Sequence, residues 1–128
     1  MRLILVTPPL FIPHSFVQQL RMDGLDVDGV GTVFLGGVVS LGEQSTAVIA
    51  NARVVRSTAV LGGALYLSDG VLEVHDSYFA DNTAFVEGGA ICSDAGEGRV
   101  EVTNSTFERN VASAVVRICA CACVMVMV

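Results

Sequence analysis

The stretch "GGALYLSDGVLEVHDSYFADNTAFVEGGAICSDAGEGRVEVTNSTFERNVA", Gly62 to Ala112, decides the fold. It says nearly the same thing twice. Each half opens on a double glycine, runs through alternating apolar residues, reaches a Phe, and meets an Asn three residues later. In "VLEVHDSYF" and "VEVTNSTF" apolar and polar residues alternate with period two, the mark of a half-buried strand. The runs are short and bounded by Gly, Asp, Ser and Asn, which favour turns. No helical period runs through them.

Outward from this stretch the repeat continues. Double glycines stand at Gly36-Gly37, Gly62-Gly63 and Gly88-Gly89, 26 residues apart each time. A further start, "AVVRIC" from Ala114, lacks the glycines. With shifts of a residue or two in the loops, four columns emerge: Val54, Phe79 and Phe107; Ser57, Asn82 and Asn110; Asn51, Asp76 and Asn104; Ala59, Ala84 and Ala112. A fixed period of this length, made of short strands, predicts an all-β solenoid of about three coils. Each position then stacks on its copy in the next coil, ~4.8 Å away. Phe79 is expected against Phe107 in the interior. Asn82 is expected beside Asn110, sharing amide hydrogen bonds and taking the left-handed backbone of a sharp corner. The double glycines supply a tight turn or a close backbone approach.

The paired signals are "GGAL" (Gly62 to Leu65) with "FADN" (Phe79 to Asn82), and "GGAI" (Gly88 to Ile91) with "FERN" (Phe107 to Asn110). Together they resemble the repeats of the chlamydial polymorphic outer-membrane proteins. The first coil departs, with "GGVV" and "VVRS" at the same places. The resemblance covers residues 36 to 118, and most closely 62 to 112. It implies a right-handed parallel β-helix of the pectin-lyase-like kind. It also implies a non-enzymatic surface or extracellular module for adhesion or scaffolding, with glycans or surface proteins as partners.

Composition narrows the function classes. Apolar residues make up 52% of the chain and Trp is absent, so the core must come from Val, Leu, Ile and Ala. The net charge is −6 and the seven basic residues, all Arg, are scattered, which leaves no footprint for nucleic acid. Eleven apolar residues follow Arg117, short of the about 20 a membrane-spanning helix needs.

Three segments are expected. Residues 1–31 form an N-terminal cap, an irregular segment or a partial upstream coil, or a degenerate secretory signal whose apolar run is broken by Pro8, Pro9 and Pro13. Residues 32–118 form the solenoid. Residues 119–128 are a low-complexity Cys/Val/Met tail, read as the truncated or misread end of a longer gene. The chain is thus expected to be a fragment of a longer repeat protein, self-associating through open ends. A non-functional gene remnant is a further alternative.

Candidate chemistry is thin. Cys119, Cys121 and Cys123 would share one face of a strand, but their spacing is not that of a zinc site. Cys92 aligns with Cys119 of the following coil. "DGLDVDG", Asp23 to Gly29, has too few ligands for a calcium loop and reads as a solvated turn. Neither His14 nor His75 has a nucleophile arranged beside it, and His75 and Asp76 are expected on opposite strand faces. "NST", Asn104 to Thr106, is a glycosylation acceptor pattern. A fragment of a polysaccharide-active enzyme is the runner-up, with Asp76, Asp81, Glu101 and Arg99 or Arg109 as its outward groups. No catalytic residue, metal or cofactor is assigned. The positions singled out are structural: Gly36, Gly37, Gly62, Gly63, Gly88, Gly89, Phe79, Phe107, Asn82, Asn110, Asp76 and Asn104.

Overall fold

The computed structural model describes residues 10–12, 20–29, 33–41, 45–68, 70–93 and 99–113. Sixteen short strands, and no helix among the described residues, build four sheets of four strands each. The first sheet holds β1 (Leu10–Ile12), β5 (Val39–Leu41), β9 (Leu65–Leu67) and β13 (Ile91–Ser93). The second holds β2 (Leu20–Asp23), β6 (Ser45–Ala50), β10 (Gly70–His75) and β14 (Arg99–Thr103). The third holds β3 (Asp26–Asp28), β7 (Arg53–Val55), β11 (Tyr78–Ala80) and β15 (Thr106–Glu108). The fourth holds β4 (Val33–Leu35), β8 (Thr58–Leu61), β12 (Thr83–Glu87) and β16 (Val111–Ala112). All pairings are parallel.

Each coil therefore gives one strand to every sheet, and the chain is a parallel β-solenoid. The three coils expected from Gly36 onward are β5–β8, β9–β12 and β13–β16. A further layer, β1–β4, lies beneath them. It includes β2 and β3, from the segment that the repeat pattern had set apart, and these pair with β6 and β7. The start at Ala114, the Cys tail and its Cys119 lie outside the described residues.

The strands form because their alternation meets the same alternation in the next coil. Leu72 stands between Ala47 and Val100, and Val74 between Ile49 and Val102. Leu72, Val74, Ala47 and Ile49 have no exposed surface, while Glu73 and His75 point outward. In the third sheet Phe79 stands between Val54 and Phe107. The two Phe rings stack with centroids 4.9 Å apart and planes 6° from parallel, a geometry that adds about 0.5–1.5 kcal/mol beyond burial. The strands of the first sheet from β5 onward are buried along their whole length, as in sheets covered on both faces.

From β5 onward, coil spacing varies at the first corner and in the fourth sheet, where β12 is one residue longer than β8. The connection from first to second sheet takes three residues after β5, two after β9 and five after β13. The connection from second to third sheet takes two residues in every layer. The shifts needed to align the repeats arise at that first corner, and the extra residue of β12, at the register irregularity between Ala84 and Glu87, restores the 26-residue spacing of the double glycines.

Candidate functional site

The features that set this chain apart lie at its corners. Three stacks of residues have left-handed backbone. One is the first glycine of each pair, Gly36, Gly62 and Gly88, with φ of 57°, 63° and 67°. The second glycine serves close approach instead: a Cβ on Gly63 would run into the carbonyl oxygen of Gly89 in the next coil and lie 2.9 Å from backbone atoms of Thr83. A second stack is Gly24, Asn51, Asp76 and Asn104, and a third is Gly29, Arg56, Asp81 and Arg109. This last stack corrects the sequence expectation. The left-handed residue is not Asn82 or Asn110 but the one before it.

Asn82 and Asn110 work from just inside that corner. Asn82 is fully buried. Its Oδ1 accepts from the Ser57 N–H at 3.0 Å, and its Nδ2 donates to the Val54 carbonyl at 3.1 Å and to Asn110 Oδ1 at 2.9 Å. One coil later Asn110 Oδ1 accepts from the Asn82 N–H at 3.1 Å, and its Nδ2 donates to the Phe79 carbonyl at 2.9 Å. Serine does a matching task at the preceding corner, which the sequence columns missed. Ser77 Oγ accepts from the Ala52 N–H at 3.1 Å, and Ser105 Oγ from the Ser77 N–H at 3.0 Å. The signal was available: "SYFADN" and "STFERN" both place Ser two residues before the Phe.

Outward, the corners carry charge paired from coil to coil. Arg53 meets Asp26 at 3.1 Å, and Arg56 meets Asp28. Arg109 grips Asp81 with two bonds, Nε at 2.7 Å and Nη2 at 3.0 Å, and also meets Glu108 at 3.0 Å. Tyr78 donates its hydroxyl to Glu108 at 3.1 Å. The hydrogen bonds from Arg109 hold the Asp81 carboxyl below the usual aspartate value, with the charges of Arg109 and Arg56 adding to the effect. Asp81 in turn raises the Arg109 guanidinium. Asp76 is bonded by the Asn104 amide, and Asp23 by the Asn51 amide at 2.9 Å. The acids of "DGLDVDG", read as a solvated turn, thus lie on a strand–corner–strand path and bond side chains of the next coil.

The enzyme-like groups do not share one place. Arg99 and Glu101 pair with each other at 2.7 Å on β14. Asp81 and Arg109 pair beyond the third sheet, and Asp76 lies at the corner between. His75 reaches Thr103 Oγ1 at 3.1 Å and Glu73 at 3.4 Å, both on the outer face of the second sheet. Among the described residues no three His, Cys, Asp or Glu side chains group to hold a metal ion. No helix there is long and apolar enough to cross a membrane.

Residues 76–94 match the model of the Chlamydia polymorphic membrane protein (Chlamydia_PMP) repeat. The matched residues run from the Asp76 corner through Phe79, Asn82 and the double glycine to β13. The motif pair that suggested the resemblance and the stacked corners of the solenoid are therefore one feature. No curated protein and no solved structure matches the chain.

Proposed function

We propose that this chain is a non-enzymatic β-solenoid module for adhesion or scaffolding at a cell surface, part of a longer array of such repeats. One observation carries the reading. The repeat's defining residues, Phe79 and Asn82, are wholly buried. The residues around them that face solvent, Asp81, Glu108 and Arg109, pair with one another along the stack. The motif thus builds a ridge, and the positions between its fixed residues decorate it. Such a surface suits recognition of an extended glycan or protein. The repeat's membrane-protein family supports the surface location, and the pectin-lyase-like, right-handed winding belongs to the same proposal, since parallel crossovers are almost always right-handed.

The test presents the full chain to arrays of neutral and acidic glycans and to cell-surface protein extracts. The same glycans are assayed for depolymerisation. Saturable binding without new chain ends is expected. Cleavage of an acidic polysaccharide would replace this reading with the enzymatic one.

A further inference from the structure

The chain has four asparagines, Asn51, Asn82, Asn104 and Asn110, and the fold puts them to two uses. Asn82 is buried, and its Nδ2 commits both hydrogens, to the Val54 carbonyl and to Asn110 Oδ1. Asn110 is half-buried, and its Nδ2 reaches the Phe79 carbonyl. Asn51 and Asn104 instead stand exposed at the corner between the second and third sheets, each with left-handed backbone. There Asn51 Nδ2 donates to Asp23 at 2.9 Å, and Asn104 Nδ2 donates to Asp76. Among the described residues neither amide gives a second hydrogen bond, so one N–H of each is left over.

Of the four, Asn104 alone heads the acceptor pattern. Asn104-Ser105-Thr106 has a hydroxyl two residues on and no proline between. Asn51 is followed by Ala52 and Arg53, Asn82 by Thr83 and Ala84, and Asn110 by Val111 and Ala112. Thr106 is exposed as well. This exposure belongs to the corner and not to the place of Asn104 in the last described coil. Asn51 and Asp76 occupy the same column with a further coil stacked above them, and both are exposed.

We propose that Asn104 is an acceptor for an N-linked glycan. The proposal rests on the surface location inferred above, which takes the chain through the membrane compartment where such transfer occurs. The donor is a lipid-pyrophosphate-linked oligosaccharide. Asn104 Nδ2 bonds to C1 of its first sugar, the bond from C1 to the pyrophosphate oxygen breaks, and one amide proton leaves to a base of the transferase. The resulting secondary amide keeps its other N–H, so the hydrogen bond to Asp76 survives. Ser105, by contrast, is 3% exposed, and its Oγ accepts from the Ser77 N–H and donates to the Thr103 carbonyl. A transferase cannot draw this segment into its own site once the corner has closed. Transfer therefore takes place during synthesis, and the finished solenoid holds the glycan outside the core.

The experiment makes the full chain behind a secretion leader in eukaryotic cells, together with N104Q, T106A and T106S. Chains are recovered from the medium and from the secretory membranes alike. They are treated with a peptide N-glycosidase, which turns a glycosylated Asn into Asp, and the tryptic peptide from Val100 to Arg109 is sequenced by mass spectrometry. Conversion of Asn104 to Asp is expected in the native chain and in T106S, with none in T106A. N104Q should migrate like the enzyme-treated native chain. The native chain made in bacterial cytoplasm, without glycan, should unfold at the same urea midpoint as the glycosylated one or at a lower one. A native chain that reaches the secretory membranes with Asn104 unmodified would overturn the proposal. So would a glycosylated chain that unfolds at a lower urea midpoint than the bare one, because the corner would then not accommodate the sugar. The leader delivers the chain whatever its natural location, so either failure counts against the Asn104 site and leaves the surface reading to the glycan arrays.

Discussion

Asn82 shows how one side chain can fix a corner. It is buried and bonded on both sides of its amide, so Asn82→Ala strands the Ser57 N–H and the Val54 carbonyl together. A loss of about 2–4 kcal/mol is expected from urea unfolding. Asn110→Ala, at a half-buried site, should lose about 1–2 kcal/mol. The stacking of Phe79 on Phe107 and the Asn82–Asn110 contact were legible in the sequence because the same residue types recur at matching places. The left-handed position was not legible. Its column holds Gly29, Arg56, Asp81 and Arg109, which share a backbone conformation but no common side-chain type. Arg is rarely found there, since only Gly, and less often Asn or Asp, adopts that region readily.

At the scale of the element, the corners do different work. Gly63 lies against the next coil, so Gly63→Ala must push against the Gly89 carbonyl there and against the Thr83 backbone. It should cost about 1–3 kcal/mol, readable as a lower urea midpoint. The Asp81–Arg109 pair joins the corners after β11 and β15, and both groups face solvent. Its contribution follows the lowered Asp81 value. The folded form titrates below the ordinary aspartate value of 3.8, so the pair stabilises above that pH and fades as pH falls through the folded value. Thermal melts of the native chain and R109A should differ by a small, constant amount near neutrality and converge in acid, and the gap should narrow with added salt. The coil period was legible because the double glycines keep their spacing. The uneven connections after β5, β9 and β13 concealed the exact register between double glycine and Asn corner.

For the whole molecule, four layers of strands share one interior. The N-terminal layer was the least legible part, because residues 10–35 carry neither the double glycine of the later coils nor a Phe-x-x-Asn signal. What places β3 in the stack is its alternation: Leu25 and Val27 are buried, while Asp26 and Asp28 face outward to Arg53 and Arg56. Val27 is 0% exposed beneath Val54. Val27→Asp would bury an unpaired carboxylate and should destabilise the fold by more than about 3 kcal/mol. A surface-like effect within about 0.5 kcal/mol would remove residues 20–28 from the solenoid.

Interstrand nuclear Overhauser contacts of the backbone around Phe79 test the central claim most directly. A parallel solenoid places the Tyr78, Phe79 and Ala80 backbone beside Thr106, Phe107 and Glu108 in that order, and beside Arg53, Val54 and Val55 on the other side. Contacts running in the same direction on both sides are the predicted result. Contacts in reversed order, or hairpin contacts between β11 and its chain neighbours β10 and β12, would contradict the account.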